Sequence, residues 1–299
     1  MGLEKLDLKP VEVVEEISKQ EFTEKYLKPG IPVKLRNFTR AWPALQKWTY
    51  DYLEEAIGSH KVKLYGRWLE NEPSRIEMPP VKEMLFADYL QLIRSGTSCD
   101  LRIFLFNPFT IAPKLKTDFS FTPITDGFLE DFPFMFFGAA GSDVRLHFDI
   151  DLAHVFLSQF GGTKRVVLFD QNQSEFLYKI PFTTHSTADL MDPDFEKFPA
   201  LKLAKGYITD LEPGETLFMP SGIWHYIQYI DGSFSLSLRA TPENPLDKLK
   251  GAYNVLVVRK LDEYLNKFYG QRWADFKLKK AITHTNEILE KHAMDKSLP

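Results

Sequence analysis

The chain has 299 residues, 44% of them apolar, a net charge of −4 and one cysteine, Cys99. These values exclude an internal disulfide, offer no electrostatic footprint for nucleic acid, and leave ample material for a sizeable core in one large domain or two modest ones. The start, MGLEKLDLKP, is charged, and no stretch holds 18 uninterrupted apolar residues, so neither a signal peptide nor a membrane span is indicated and a cytoplasmic protein is expected.

With 25 Phe, 12 Tyr and 5 Trp, the composition favours half-buried strands, and Cys99 is expected as a small buried hydrophobe. VEVV at 11–14 reads as a short strand. Ser18 and Glu21 then have the spacing of a capping box, opening a helix that Pro29 and Gly30 stop. IPVKLRNF alternates as a strand, Thr49 introduces the helix DYLEEAI that Gly58 closes, and KVKLYG is the next strand. Residues 78–96 carry Val81, Leu85, Tyr89 and Leu92 at helical spacing, so an amphipathic helix is expected there. LRIFLFN reads as a strong strand, and the Pro- and Phe-rich residues 107–133 as a long structured loop.

Between 133 and 240 short strands follow closely: PFMFFG, VRLHFDI, HVFLSQF, KRVVLFD, YITDL, TLFMP, IWHYIQYI and FSLSLRA. Glycine-containing turns punctuate them, the density expected of a sandwich or jelly roll. Residues 171–205 are too long for a hairpin turn and read as an insertion across one mouth of the barrel. After Asn244 and Pro245, a cap and first helical position, the chain turns helical. The stripe Leu249, Val255, Leu256, Leu261 and Leu265 must be covered either by the barrel or by a partner subunit.

In a strand, residues i and i+2 share a face, so His147 and Asp149 project side by side. His-x-Asp recurs by chance, and a plain hydrogen-bonded pair is its bland interpretation. His225 adds weight: PGETLFMPSGIWH ends one strand at Pro220, reverses at Ser221 and Gly222, and starts the next with Trp224 and His225. Two His and one carboxylate leave metal positions open in non-haem Fe(II) oxygenases. Lys164 shares a face with Val166 and Leu168 and Arg165 with Val167 and Phe169, so one of the two cations looks into the barrel or both flank a solvated end. Arg239 falls with Ser233, Ser235 and Ser237 on a small polar face, which either a cavity or a solvated surface would present. His154, an odd number of residues from His147, should face away; His60, His185, His284 and His292 are expected as surface or satisfied core residues.

These stretches resemble the JmjC-type, cupin-like Fe(II)- and 2-oxoglutarate-dependent oxygenases. The resemblance runs from about residue 10 to 240 through FTEKYLKPGIPVKLRNFTRAWPALQKWTYDYL, HFD, GGTKRVVLF and PGETLFMPSGIWH. DPDFEKFPALKLAKGYITDLEPGETLFMPSGIWH is especially similar to the family's asparaginyl hydroxylase branch, whose member inhibits hypoxia-inducible factor. The resemblance implies a mainly β fold with a double-stranded β-helix core, N-terminal α/β elements and a C-terminal helical pair. It implies an oxygenase domain over 1–245 and a helical extension over 246–299 that forms a homodimer in some family members. His147, Asp149 and His225 become Fe(II) ligands, Lys164 holds the distal carboxylate of 2-oxoglutarate, and O2 is consumed in hydroxylating a protein side chain or small molecule. No nucleic acid or membrane partner is expected.

Three positions depart from that pattern. A Tyr and a Thr that help hold the cosubstrate correspond to Phe104 and Val144, which have no side-chain donors, and an Asn near the iron-bound carboxylate corresponds to Arg239. Two other functions stay open on the residues: a cupin metalloprotein without 2-oxoacid chemistry, and a non-catalytic binding or regulatory module on the same fold. Without zinc-spaced cysteines or a reader domain, a histone demethylase is the less expected outcome.

Overall fold

Aromatic and branched residues at alternating positions build two facing sheets, described in a computed structural model over residues 2–67 and 79–297. The strands are β1 (Asp7–Pro10), β2 (Glu12–Val14), β3 (Val33–Leu35), β4 (Lys61–Leu64), β5 (Lys82–Leu85), β6 (Arg102–Phe106), β7 (Phe134–Gly138), β8 (Asp143–His147), β9 (His154–Gly161), β10 (Lys164–Phe169), β11 (Lys205–Leu211), β12 (Thr216–Met219), β13 (Trp224–Tyr229) and β14 (Ser233–Ala240). One sheet runs β1-β11-β10-β13-β8, the other β2-β3-β12-β9-β14-β7-β6, and β4 pairs with β5 in a separate ribbon. The last eight strands divide four to each sheet, all antiparallel, in the jelly-roll core that the strand spacing predicts.

Period 2 decides which residues meet between the sheets. Val155 and Leu157 of β9, Val166 and Leu168 of β10, and Leu217 and Met219 of β12 fill the interior. Their neighbours Phe156 and Phe218 point outward into a core shared with the N-terminal helices, while Val167 and Phe169 pack outward under the 171–203 segment. Each such buried ring contributes about 1.5–3 kcal/mol.

Local signals hold where they are strongest. Ser18 and Glu21 form the capping box, and Thr49 accepts from the Tyr52 N–H at the start of helix Tyr50–Ile57. The helix expected over 78–96 is shorter: Met78 lies outside the described residues, Lys82–Leu85 is β5, and the helix is Phe86–Arg94. The edge of β4, pairing Lys61 with Leu85 through Leu64 with Lys82, outweighs the helical spacing that Val81 and Leu85 suggested. Cys99 is half-buried rather than buried.

The C-terminal pair comprises Pro245–Tyr253, a π turn at Asn254–Val258, Arg259–Tyr269 and Gln271–Ser297. Asn244 caps it, accepting from the Leu246 N–H. Of the expected stripe, Leu249, Leu256 and Leu261 are exposed, while Val255 and Leu265 are half-buried. Ile282, Ile288 and Leu289 of the last helix pack on the core, Gly251 lies on the backbone of Asp151, where an added Cβ would collide with the carbonyl oxygen, and Asn254 donates to the Ile150 carbonyl. Between the helices the buried Asp262 carboxylate accepts from Lys277 at 2.6 Å, Trp273 at 2.8 Å and Asn266 at 3.0 Å. No helix among the described residues is long and apolar enough to cross a membrane.

Candidate metal centre and its cavity

β8 and β13 run antiparallel with His147 directly opposite His225, so the register places two imidazoles side by side with ring centroids 4.2 Å apart. Asp149 follows β8 two residues on. One ligand atom from each of the three lies within 4.8 Å of the others, and His147 Nε2 is 3.9 Å from Asp149 Oδ1. Each His is oriented by the backbone carbonyl two residues before it: His147 Nδ1 donates to the Arg145 carbonyl at 2.9 Å and His225 Nδ1 to the Ile223 carbonyl at 3.2 Å. A donor at Nδ1 leaves the Nε2 lone pair free, the tautomer a metal requires. Burial, together with His225 alongside, pushes the His147 imidazolium down to about 3, and burial lowers His225 as well, so both rings are neutral.

Asp149 is held from its other side. Burial alone would raise its carboxyl, but the Arg239 guanidinium against it brings it down to about 2. The Arg239 guanidinium lies 2.9 Å from Asp149 Oδ2 and 2.5 Å from Asp151 Oδ1. Arg239 therefore sits on a cavity wall and not on a solvated face, and it is almost wholly buried.

Lys164 points inward and is 1% exposed, whereas Arg165 points out to pair with Asp210. Its Nζ donates to Ser235 Oγ and stands 4.6 Å over the Tyr229 ring. No carboxylate pairs with it among the described residues, and burial brings its ammonium down to about 7. The donor set thus fits both groups that the resemblance implies: two neutral imidazoles and a carboxylate for Fe(II), and a buried cation that needs an anion for a 2-oxo dicarboxylate.

Triad and lysine open onto one cavity of about 820 Å³, large enough for a cosubstrate and part of a substrate. Phe104 and Val144 both line it. Val144 stands three residues before His147, yet the register shift opposite Tyr226 brings both to one face. A shift in the β6–β7 pairing also spans Phe104 and Leu105, and Leu105 takes a left-handed φ of 48°, uncommon for a branched side chain. His154 faces away, bonded to Glu243 and to the Ser221 N–H.

His185 does not conform to its expectation as an unremarkable core or surface residue. It comes from the 171–205 insertion, pairs by backbone with His147, and stacks on that ring at 5.3 Å and 12°. Among the described residues its buried Nδ1 has no hydrogen-bond partner, and its pKa falls well below the usual value through burial and the nearby Arg145. Neither spacing nor motif signals it, because the insertion is irregular. Tyr229 is also outside the expected site residues, although period 2 along β13 puts it on the face of His225 and Ile227.

A jelly roll whose interior carries two His and one carboxylate facing an open cavity is the fold of the JmjC and cupin-like Fe(II)/2-oxoglutarate dioxygenases, with a facial metal-binding triad typical of them. Residues 18–257 match the cupin-like domain family, and the chain belongs to it. It is 31% identical over 231 residues to lysine-specific demethylase 8 of Xenopus tropicalis, covering 74% of this chain and 50% of that protein. It is 28% identical over 234 residues to Jumonji C domain-containing protein 5 of Drosophila melanogaster, with coverages of 74% and 57%. With tRNA wybutosine-synthesizing protein 5 of Gallus gallus it shares 27% over 213 residues, 66% of this chain and 65% of that one. The chain thus spans about half the length of the first two relatives.

Proposed function

We propose that this chain is an Fe(II)- and 2-oxoglutarate-dependent dioxygenase that hydroxylates a protein side chain or a small molecule. His147, Asp149 and His225 are the iron ligands, and Lys164 anchors the distal carboxylate of 2-oxoglutarate. The observation that carries this is a buried ammonium with no carboxylate partner among the described residues, opening onto the triad's own cavity.

Bound iron supplies the redox chemistry that converts 2-oxoglutarate, O2 and R–H into succinate, CO2 and R–OH. The chain's own part is positional. The carbonyls of Arg145 and Ile223 keep both imidazoles in the Nε2-ligating tautomer, and Arg239 sets the Asp149 plane. Ile227 and Leu157 line the same cavity as apolar walls that keep water from the cosubstrate. A protein substrate is favoured by the relatives named as lysine demethylases, and the net charge of −4 offers little to an RNA backbone. Within the family, residues 192–225 support a place near the asparaginyl hydroxylase branch, from which Arg239 separates this chain.

Phe104 and Val144, which cannot donate, favour a second reading in which the metal works without a 2-oxoacid. The two part on one measurement. Reconstituted anaerobically with Fe(II) and then given 2-oxoglutarate and air, the protein is expected to release succinate in an iron-dependent reaction. A folded, iron-loaded protein that neither binds 2-oxoglutarate nor forms succinate overturns the first reading and leaves the second.

Leu249, Tyr253, Leu256, Tyr264 and Phe268 form an exposed apolar stripe along the 245–269 segment, flanked by charged residues such as Lys250, Lys260 and Lys267, and we assign it to a homodimer contact. Native mass spectrometry should return twice the 34.7 kDa chain mass; a monomer at micromolar concentration refutes the assignment.

A further inference from the structure

Arg239 stands beside the metal triad, where a fixed positive charge opposes a dication. Asp151 offsets that charge: it takes Arg239 at 2.5 Å, so Asp149, Arg239 and Asp151 together carry the single negative charge that Asp149 would carry alone. Charge is therefore conserved, and what the pair adds is geometry. Asp149 Oδ1 faces His147 Nε2, while Oδ2 is tied to the guanidinium at 2.9 Å. Asp151 is itself fixed by the close approach of Gly251 to its carbonyl and by its Oδ1 accepting from the Ala153 N–H.

We propose that Arg239 is a positioning residue that restricts Asp149 to ligation through one oxygen, while Asp151 neutralises the guanidinium and keeps it in place. The proposal rests on the metal-centre reading above and gives the pair a specific role, because a carboxylate binding through both oxygens occupies one of the metal positions that cosubstrate and oxygen require. Among the described residues the buried Nε of Arg239 has no partner, so what holds the side chain is its terminal nitrogen, which meets both carboxylates.

The test is a charge cycle on cobalt, whose visible absorption reports coordination, using the full chain loaded with Co(II) in place of iron. Arg239→Gln is expected to change the Co(II) spectrum as Asp149 takes the metal with both oxygens, and to tighten metal binding several-fold. Asp151→Asn leaves the guanidinium uncompensated, keeping the wild-type spectrum but weakening Co(II) binding roughly tenfold. The double variant restores the charge balance, so its affinity returns towards wild type while its spectrum stays that of Arg239→Gln. Arg239→Lys, which keeps the charge, guards against misfolding and should leave affinity near wild type. A merely structural pair would lower the melting temperature without moving the spectrum. If the wild type takes up Co(II) and Arg239→Gln matches it in spectrum and affinity, the positioning role is wrong and the metal site stands. A folded wild type that takes up no Co(II) defeats the metal reading itself, and this inference with it.

Discussion

His225→Ala is expected to release iron during dialysis and to abolish 2-oxoglutarate turnover, with metal affinity falling by more than the roughly 10- to 100-fold typical of losing an outer-shell partner. Asp149→Ala should do the same, but the two variants separate once the metal is removed. His225 is neutral and its ring makes one hydrogen bond, to the Ile223 carbonyl two residues before it, so its loss leaves little unsatisfied. Asp149 takes one side of a nearly buried guanidinium, and without it Arg239 keeps only Asp151. In excess chelator, Asp149→Ala should therefore be less stable than wild type by about 1–3 kcal/mol, and His225→Ala by less than about 1. Metal analysis of the dialysed proteins and chemical denaturation with chelator check both halves. Iron retained at one equivalent by His225→Ala would remove that residue from the ligand set. In the absence of chelator, saturating Fe(II) should raise the wild-type midpoint and leave both variants unmoved, because only a ligand bound by the native state shifts the folding equilibrium.

Much of this arrangement is legible in the chain because strands write their geometry with period 2. His147 and Asp149 two residues apart, Lys164 in step with Val166 and Leu168, and Arg239 in step with Ser235 and Ser237 all face the interior as alternation requires. The capping box at Ser18 and the cap at Asn244 are readable because a side-chain oxygen and a backbone N–H a few residues on decide them locally. What escapes depends on partners distant in sequence. β1 forms only because β11, nearly 200 residues later, offers a parallel edge. β5 replaces the start of a helix because β4 is adjacent in space. Val144 reaches the cavity through a bulge that no alternation rule reports, and His185 through an irregular segment pinned to β8 by the Phe148 N–H to Thr184 and Ser186 N–H to Leu146 bonds. The C-terminal stripe divides for a related reason: a π turn sits in its middle, so Val255 reaches the cavity while Leu249, Leu256 and Leu261 stay exposed, and the close contacts of Gly251 and Asn254 are ones a hydrophobic pattern does not register.

Lys164→Met is expected to weaken 2-oxoglutarate binding by roughly 10- to 100-fold and, against the usual direction for a site mutation, to make the ligand-free protein more stable. Burial depresses the ammonium to about 7, and in the absence of a ligand its compensation is one hydroxyl and the face of Tyr229. A thioether of similar length fills the same volume without that desolvation cost, for a gain on the order of a few kcal/mol. The pH dependence gives the sign independently. The folded pKa lies below the unfolded value of about 10.4, so between pH 7 and 10 the unfolded chain holds a proton that the folded one lacks, and wild-type stability rises with pH over that window. The advantage of Lys164→Met should therefore be largest below pH 7 and shrink towards pH 10. Cosubstrate binding runs the other way, since a carboxylate placed beside Nζ favours the ammonium. Wild-type affinity for 2-oxoglutarate should fall as pH rises above about 7, approaching tenfold per unit, whereas the residual affinity of Lys164→Met should show no such slope. Isothermal titration at pH 6.5 and 8.5 with Mn(II) in the metal site, beside denaturation of the ligand-free proteins at both values, measures the two opposed slopes on one pair of proteins. Equal 2-oxoglutarate affinity in the two proteins would mean that Lys164 does not face the cosubstrate, and the buried ammonium would then need another anion.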